Sequence, residues 1–237
     1  MRRLACYHPR LTGRTSIDFT PERIAHALTT YVVLLFSLSV HESAHALAAL
    51  KLGDDTAHRE GRITLNPLAH IDPLGTVLFP LMQMFTGLPF LGWAKPTPYD
   101  PGNFRRDVSL RQGHIVVAAA GPVSNLVLAL LFTGAFWLLV RTTTLTDPYH
   151  PLFRIVAAGI QMNVVLALFN LVPIPPLDGS KVASFGLSQR LGDRYDQVMG
   201  PYGYLILMLL LISGVLGAVL SPVTQWVLRF LYRLAVA

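Results

Sequence analysis

The sequence is poor in charged residues and contains almost no cysteine. Asp, Glu, Lys and Arg together make up 14% of the 237 residues, whereas 52% of the residues are hydrophobic. Soluble domains contain about 25% charged residues, so this composition argues against a soluble domain and indicates a chain that lies largely in a membrane. The single cysteine, Cys6, excludes a disulfide framework within the chain and a zinc site built from several thiolates.

Acidic residues are the scarcer of the two charge types, with 13 against 19 basic residues and a net charge of +6. A basic chain can bind nucleic acid, but no nucleic-acid-binding motif and no interleaving of basic with aromatic residues accompanies this charge. We therefore expect no nucleic-acid partner, and we expect the basic loops to lie against the headgroups of the lipid bilayer. The basic N-terminal segment has no apolar run before Ile24 and lacks the layout of a cleaved signal peptide.

Long apolar runs occupy most of the remaining sequence. A helix needs about 20 apolar residues to cross the hydrocarbon core. Four segments meet this requirement: 24–52, 113–140, 152–172 and 202–220. Two further apolar segments are ambiguous. Residues 72–93 are interrupted by Pro80, Gly87 and Pro89, and residues 223–237 are short for a span and fit a last span or an interfacial helix.

These segments predict an all-α polytopic membrane protein. We expect a bundle of about four to six transmembrane helices with a re-entrant segment at 72–93. The alternating residues Arg62-Ile-Thr-Leu allow an edge strand, and with it a small β-hairpin close to the motif described next. The expected domains are a basic N-terminal segment at 1–22, a core at 23–200 and C-terminal transmembrane or interfacial helices at 201–237.

The most informative motif lies in the first apolar segment, at His41-Glu42-Ser43-Ala44-His45. Residues i and i+4 share a face of a helix, so His41 and His45 can bind one zinc ion, with Glu42 beside it as a general base for an attacking water. Ionisable side chains within a membrane are costly, and such a cluster indicates a function. The alternative is a chance match with two satisfied core histidines, and the apolar flank argues against it.

A catalytic zinc takes three protein ligands, so the two histidines need a partner. Three prolines between residues 173 and 176 end the helix at 152–172, and Asp178-Gly179 follow directly. Asp178 is a candidate ligand, although Asp-Gly is also a common turn pair. The residues alone leave the choice open, because three other acidic residues lie closer to the motif in sequence: Asp54, Asp55 and Glu60.

An apolar helix with His41-Glu42-x-x-His45 is thus followed downstream by Asn170 and by Leu177-Asp178-Gly179. Together these motifs closely resemble those of the site-2 protease family of intramembrane zinc metalloproteases. Weaker matches to small prokaryotic members are Ala120-Gly121-Pro122 with Asn125 and Gly92-Trp93-Ala-Lys95-Pro96. The resemblance covers roughly residues 24–200 and includes no appended regulatory domain of PDZ or CBS type.

The resemblance implies one zinc ion per chain, held by His41, His45 and Asp178, with Glu42 as the catalytic base. It also implies that Asn170 holds the substrate or the developing oxyanion. The implied activity is hydrolysis of peptide bonds in or near transmembrane segments of membrane-protein substrates. The implied partners are therefore a substrate helix and the lipid bilayer, and the oligomeric state stays open.

A second class of function is a zinc-binding membrane protein without proteolysis, either a metal transporter or an inactive substrate-binding relative. Transporters place metal-binding residues along a path through several helices, whereas the histidine and acidic residues of this chain gather near one depth. Inactive relatives often lack the motif glutamate, which is present here as Glu42. Both comparisons favour the protease.

The predicted helices also set a topology. The C-terminal ends of helices 24–52 and 152–172 must lie at similar depth to share one site, and helices 113–140 and 152–172 form an antiparallel pair. Residues 51–112 must then cross the membrane an even number of times, so 72–93 enters and returns on one side. By the positive-inside rule, the basic residues near the motif predict an active site on the cytoplasmic side of the cell membrane, whereas those of the N-terminal segment favour the reverse.

Overall fold

The structure is a computed structural model that describes residues 20–86, 92–142 and 150–236. These residues form eight helices: α1 (Pro21–Leu52), α2 (Thr56–Arg59), α3 (Phe79–Thr86), α4 (Leu110–Thr142), α5 (Pro151–Asn170), α6 (Asp178–Gly186), α7 (Gln189–Ile212) and α8 (Val215–Val236). Shorter helical turns lie at Pro67–Ala69, Pro73–Leu78 and Pro101–Asn103. Helices α1, α4, α5, α7 and α8 are long and apolar enough to span a membrane. The predicted all-α polytopic fold is confirmed.

The C-terminal helices differ from the prediction of one helix over 202–220. Helix α7 ends at Ile212, and α8 begins at Val215. Between them Gly214 has a φ of +75°, a left-handed conformation that glycine adopts at no steric cost and that commonly ends helices. Both flanks of this turn are apolar, so hydropathy runs through it unbroken. Residues 223–236, which looked short for a span, belong to the 22-residue helix α8.

The edge strand considered at Arg62–Leu65 is wrong, because this stretch of the described chain is irregular. The Arg62 side chain is only 2% exposed. Its guanidinium group donates to the backbone carbonyl oxygens of Ala69, Lys95 and Pro96. These side-chain hydrogen bonds hold the segment in place, whereas an edge strand would present a row of unpaired backbone N–H and C=O groups. The predicted β-hairpin is therefore not found within the described residues.

Helices α1, α4 and α5 form the centre of the bundle, with α4 antiparallel to both of its neighbours. Their interior includes three polar side chains, Ser37, Asn125 and Asn163, which have no exposed surface. A Cβ atom at Gly159 of α5 would lie 2.6 Å from the Phe132 ring of α4, so glycine lets the two helices approach closely. Many large apolar side chains of these helices are exposed on the outside of the bundle, where lipid would surround them.

The segment predicted to be re-entrant begins and ends at neighbouring positions. Asp72 caps its first turn by accepting hydrogen bonds from the backbone N–H groups of Leu74 and Gly75. The chain is helical from Pro73 to Thr86, and residues 87–91 of the predicted segment lie outside the described residues. Trp93 N–H then donates to the Gly75 carbonyl oxygen at 3.3 Å. The chain has therefore returned to the start of the segment, as the topology predicted.

A second contact extends this result to the whole connection between α1 and α4. The backbone N–H of Arg105 donates to the carbonyl oxygen of Leu52, the last residue of α1, at 2.8 Å. The chain between these two residues thus ends where it began. Helix α4 then starts beside the C-terminal end of α1, which gives the antiparallel arrangement that the site requires.

Candidate metal centre

Three candidate ligands converge from α1 and from the first residue of α6. The Nε2 atom of His41 lies 3.1 Å from Oδ2 of Asp178, and the Nε2 atom of His45 lies 3.3 Å from the same oxygen. The two Nε2 atoms are 3.1 Å apart. Among the described residues, His41, His45 and Asp178 form the group of three ligand side chains that could hold a metal ion.

The shape of this triangle fits a tetrahedral zinc ion. Zinc–nitrogen and zinc–oxygen bonds of about 2.0 to 2.1 Å place neighbouring ligand atoms about 3.3 to 3.4 Å apart in a tetrahedron. The observed edges of 3.1 to 3.3 Å are close to that separation. Two nitrogens and one carboxylate oxygen are also a donor set of catalytic zinc sites, with a fourth position left open.

The hydrogen bonds behind the histidines prepare both rings for a metal. Nδ1 of His41 lies 2.6 Å from Oδ1 of Asn125, and Nδ1 of His45 lies 2.7 Å from the carbonyl oxygen of Val117. Carbonyl oxygens only accept hydrogen bonds, so each Nδ1 carries the proton. Each Nε2 then has a free lone pair directed into the triangle, which is the state a metal ligand needs.

Gly121 of α4 provides the space for this site. A Cβ atom at this position would lie 2.4 Å from Nε2 of His45 and 2.6 Å from Nε2 of His41. No side chain fits so close to these nitrogens without moving them. The glycine of the Ala120-Gly121-Pro122 match therefore has a steric reason, which the sequence alone did not reveal.

The other acidic candidates for third ligand have different partners. Asp54 is fully buried and accepts hydrogen bonds from the Thr56 hydroxyl, the Asp100 N–H and the Asn103 amide at 2.5, 2.7 and 2.9 Å. Burial raises the pKa of Asp54, but the hydrogen bonds from Thr56 and Asn103 lower it below its ordinary value. Asp54 therefore anchors the loop that follows α1.

The two remaining acidic candidates also lie outside the cluster. Asp55 forms an exposed ion pair with Arg59 one turn later, and Glu60 is exposed at the end of α2. The structure therefore brings Asp178, and none of the other three acidic residues, to the histidines.

Glu42 is held by a loop segment that the sequence did not single out. The backbone N–H and the hydroxyl of Thr97 lie 2.9 and 2.8 Å from Oε2 of Glu42, and the hydroxyl also lies 3.0 Å from the Glu42 carbonyl oxygen. In the sequence, Thr97 could have been noticed because it directly follows the family match at Gly92–Pro96. Among the described residues, hydrogen bonds reach Oε2 but not Oε1, which leaves Oε1 for other chemistry.

A cavity of about 440 Å³ connects these groups. His41, Glu42, His45 and Asp178 all line it, and the segment 92–99 with apolar side chains of α4 and α5 forms much of the remaining wall. Asn170, the last residue of α5, also lines the cavity, and its amide donates one hydrogen bond to the Leu166 carbonyl oxygen at 3.0 Å. Its interpretation as a substrate-binding residue stays a prediction.

Comparison with known proteins agrees with this geometry. The family model of peptidase family M50 matches residues 147–213. The protein "Putative zinc metalloprotease YwhC" of Bacillus subtilis is 37% identical over 195 residues, which cover 81% of this chain and 83% of that protein. The protein "Putative zinc metalloprotease Rip2" of Mycolicibacterium smegmatis is 32% identical over 203 residues, which cover 83% of this chain and 71% of Rip2.

A more distant relative is the correspondingly named MJ0611 of Methanocaldococcus jannaschii, which is 28% identical over 186 residues, 73% of this chain and 85% of that protein. No solved structure matches the chain significantly. The identity to YwhC extends over most of both chains. The chain therefore belongs to peptidase family M50, the site-2 protease family of zinc metalloproteases.

Proposed function

We propose that this chain is an intramembrane metalloprotease that hydrolyses peptide bonds in or near the transmembrane segments of membrane-protein substrates. One zinc ion per chain is held by His41, His45 and Asp178, and Glu42 is the catalytic base. The observation that supports this most directly is the ligand triangle with Glu42 in one cavity between helices of membrane-spanning length.

Each ligand makes a distinct contribution. His41 and His45 present neutral Nε2 lone pairs, because their Nδ1 protons are held by carbonyl oxygens. Asp178 adds one negative charge, which makes the ligand set anionic and retains a divalent cation in a buried setting. Zinc in such a site lowers the pKa of a coordinated water toward neutrality and polarises a carbonyl group.

Glu42 moves the proton. The two hydrogen bonds from Thr97 hold Oε2, and Oε1 is the carboxylate oxygen left to act as the base. Oε1 takes the proton from the attacking water and delivers it to the amine that leaves when the peptide bond breaks. The same oxygen serves both transfers, and no second acid is needed.

Substrate access requires local unwinding. A transmembrane helix hides each carbonyl group in its own hydrogen bonds, so we expect substrates with helix-breaking residues near the cleaved bond. The Asn170 amide has two hydrogens, and one is used by Leu166. The other can bind a substrate carbonyl oxygen or the developing oxyanion, which is the function we propose for Asn170.

We propose the cell membrane as the location, with the active site on the cytoplasmic side. The connections at the C-terminal ends of α1 and α5 contain many Lys and Arg residues, whereas Arg141 is the main basic residue near the opposite connection between α4 and α5. The partners we propose are a substrate helix and the lipid bilayer, with no nucleic acid.

The test compares Glu42→Gln with the parent chain and with Glu60→Gln, an exposed glutamate outside the cavity. Each purified protein is loaded with zinc and incubated in liposomes with a tagged transmembrane substrate that contains a helix-breaking residue. Glu42→Gln should keep its zinc and cleave at least about 100-fold more slowly, while Glu60→Gln should match the parent. Parental cleavage by Glu42→Gln would refute the glutamate-base mechanism. Zinc binding without cleavage by the parent, tested with several such substrates, would favour a non-proteolytic function.

A further inference from the structure

A chain of buried polar side chains connects the candidate metal centre to α5. Ser37 of α1, Asn125 of α4 and Asn163 of α5 have no exposed surface. Asn125 touches His41, whereas Asn163 touches none of the candidate ligands. Its amide nitrogen lies 2.9 Å from the Ser37 hydroxyl oxygen, and its amide oxygen lies 2.8 Å from the Asn125 nitrogen. Three buried polar groups in a membrane protein are costly unless each is satisfied.

The direction of these hydrogen bonds is determined at one end by the backbone. The carbonyl oxygen of Gly159 lies 2.9 Å from the Asn163 side chain. A carbonyl oxygen only accepts, so the Asn163 nitrogen must face it, and the Asn163 oxygen must face Asn125. The backbone of α5 thus orients the Asn163 amide independently of the metal centre.

Asn125 of α4 passes this orientation on to His41. Because Asn125 meets an oxygen of Asn163, its own nitrogen must face α5 and donate. Its oxygen consequently faces Nδ1 of His41 at 2.6 Å, and Nδ1 must be the protonated nitrogen. The backbone carbonyl group in α5 thus determines, through two side-chain amides, which nitrogen of the imidazole ring in α1 carries the proton.

We propose that Asn163 is a positioning residue that fixes the tautomer of His41 and so increases the zinc affinity of the site. The two histidines are then held by equivalent devices. His45 donates directly to the Val117 carbonyl oxygen. His41 donates to Asn125, which donates to Asn163, which in turn donates to the Gly159 carbonyl oxygen. The inference rests on the zinc site of the proposed function, and not on proteolysis.

A second acceptor competes with Asn163 for the Asn125 amide. The Asn125 nitrogen also lies 3.4 Å from the Ser37 carbonyl oxygen, a long hydrogen bond beside the 2.8 Å bond to Asn163. Without Asn163, the orientation of Asn125 would depend on this weaker bond and on the contact with His41 itself. The amide could then turn over and present its nitrogen to His41, which would place the proton on Nε2 and block the metal. Partners of this kind behind a ligand typically change metal affinity about 10- to 100-fold.

The experiment measures zinc affinity by competition with a chelator in detergent, together with the thermal unfolding of the metal-free protein. Asn163→Leu removes all three side-chain hydrogen bonds at nearly constant size, and Asn163→Ala serves if the leucine variant unfolds at a lower temperature than the parent. Asn163→Asp is the rescue variant, because a neutral carboxyl group in this buried setting keeps an acceptor for Asn125 and a donor for Ser37. Thr133→Val is the matched control, since the Thr133 hydroxyl is buried in α4 and, within the described residues, bonds to Ala129 of its own helix and to no other group.

We expect Asn163→Leu or Asn163→Ala to bind zinc about 10- to 100-fold more weakly, with Asn163→Asp and Thr133→Val within about threefold of the parent. Parental zinc affinity in a stably folded Asn163→Leu or Asn163→Ala protein would overturn the inference and leave the protease proposal intact. An equal loss in Thr133→Val would also overturn it, because general loosening of the bundle would then explain the effect. A parent chain without zinc affinity would overturn the proposed zinc site and the inference with it.

Discussion

The closest steric constraint on the metal centre is at Gly121, and its replacement by alanine gives a quantitative test. The new methyl group would lie 2.4 and 2.6 Å from the Nε2 atoms of His45 and His41, whereas ordinary van der Waals contact begins at 3.4 Å. The two imidazole rings would have to retreat by about 0.8 to 1.0 Å. Metal–ligand distances tolerate only about 0.2 Å, so the site cannot absorb this movement and keep its geometry.

The cost can be expressed as a change in affinity. Overpacking of a well-packed interior costs about 1 to 3 kcal/mol, and the strain is relieved when the rings move apart and release the metal. At about 1.4 kcal/mol for each factor of ten, Gly121→Ala should weaken zinc binding about 5- to 150-fold. Activity should fall at low zinc concentration and recover partly when zinc is added.

The matched control for this variant lies on the same helix. A Cβ atom at Gly134 would meet nothing within 4 Å, and alanine is favoured over glycine in a helix by up to about 1 kcal/mol. Gly134→Ala should therefore keep the parental zinc affinity and unfold at the same or a higher temperature. Chelator competition on both variants measures the difference. A folded Gly121→Ala protein with the affinity of the parent would refute the steric account of the site.

Three other outcomes are expected. Asp178→Asn should lose zinc during dialysis that the parent withstands, and equal retention would remove Asp178 from the ligand set. Because the pKa of Asp54 is lowered in the folded state, its contribution to stability is present above about pH 4 and is lost as the pH falls further. The unfolding temperature of Asp54→Asn should therefore decline less than that of the parent between about pH 5 and about pH 3, the range around the ordinary carboxyl pKa. Parallel declines of the two proteins would contradict this. In a Cys6→Ser background, single cysteines at positions 55 and 105 should react from the same side of the membrane, and labelling from opposite sides would exclude the re-entrant arrangement.

Local patterns in the sequence were sufficient for the parts of the site that depend on one helix. His41 and His45 share a face because they are four residues apart, and the prolines after Asn170 end α5 as expected. Asp178 follows as the first residue of a new helix, where its side chain can reach back to α1. The residues alone did not decide between Asp178 and Asp54, since both carboxylates follow a helix end. The family resemblance pointed to Asp178, and the tertiary contacts show that it is the one beside the histidines.

Features that depend on packing between distant segments were not predicted. Thr97 contacts Glu42 across 55 residues, and Asn163 contacts Ser37 across 126 residues. No periodicity links such positions, because a threonine in a loop and an asparagine in an apolar helix have many ordinary uses. The break at Gly214 was missed for a different reason. A single glycine between two apolar helices changes neither the hydropathy nor the charge, although it reverses the sign of φ.

The distance along the chain between the candidate ligands has a consequence for biosynthesis. His41 and Asp178 are separated by 137 residues. At a synthesis rate of about 5 to 20 residues per second, the nascent protein has both histidines but lacks the aspartate for about 7 to 27 seconds. During this interval the growing chain cannot complete its three-ligand site. The candidate metal centre can therefore form only after about three quarters of the chain has been made.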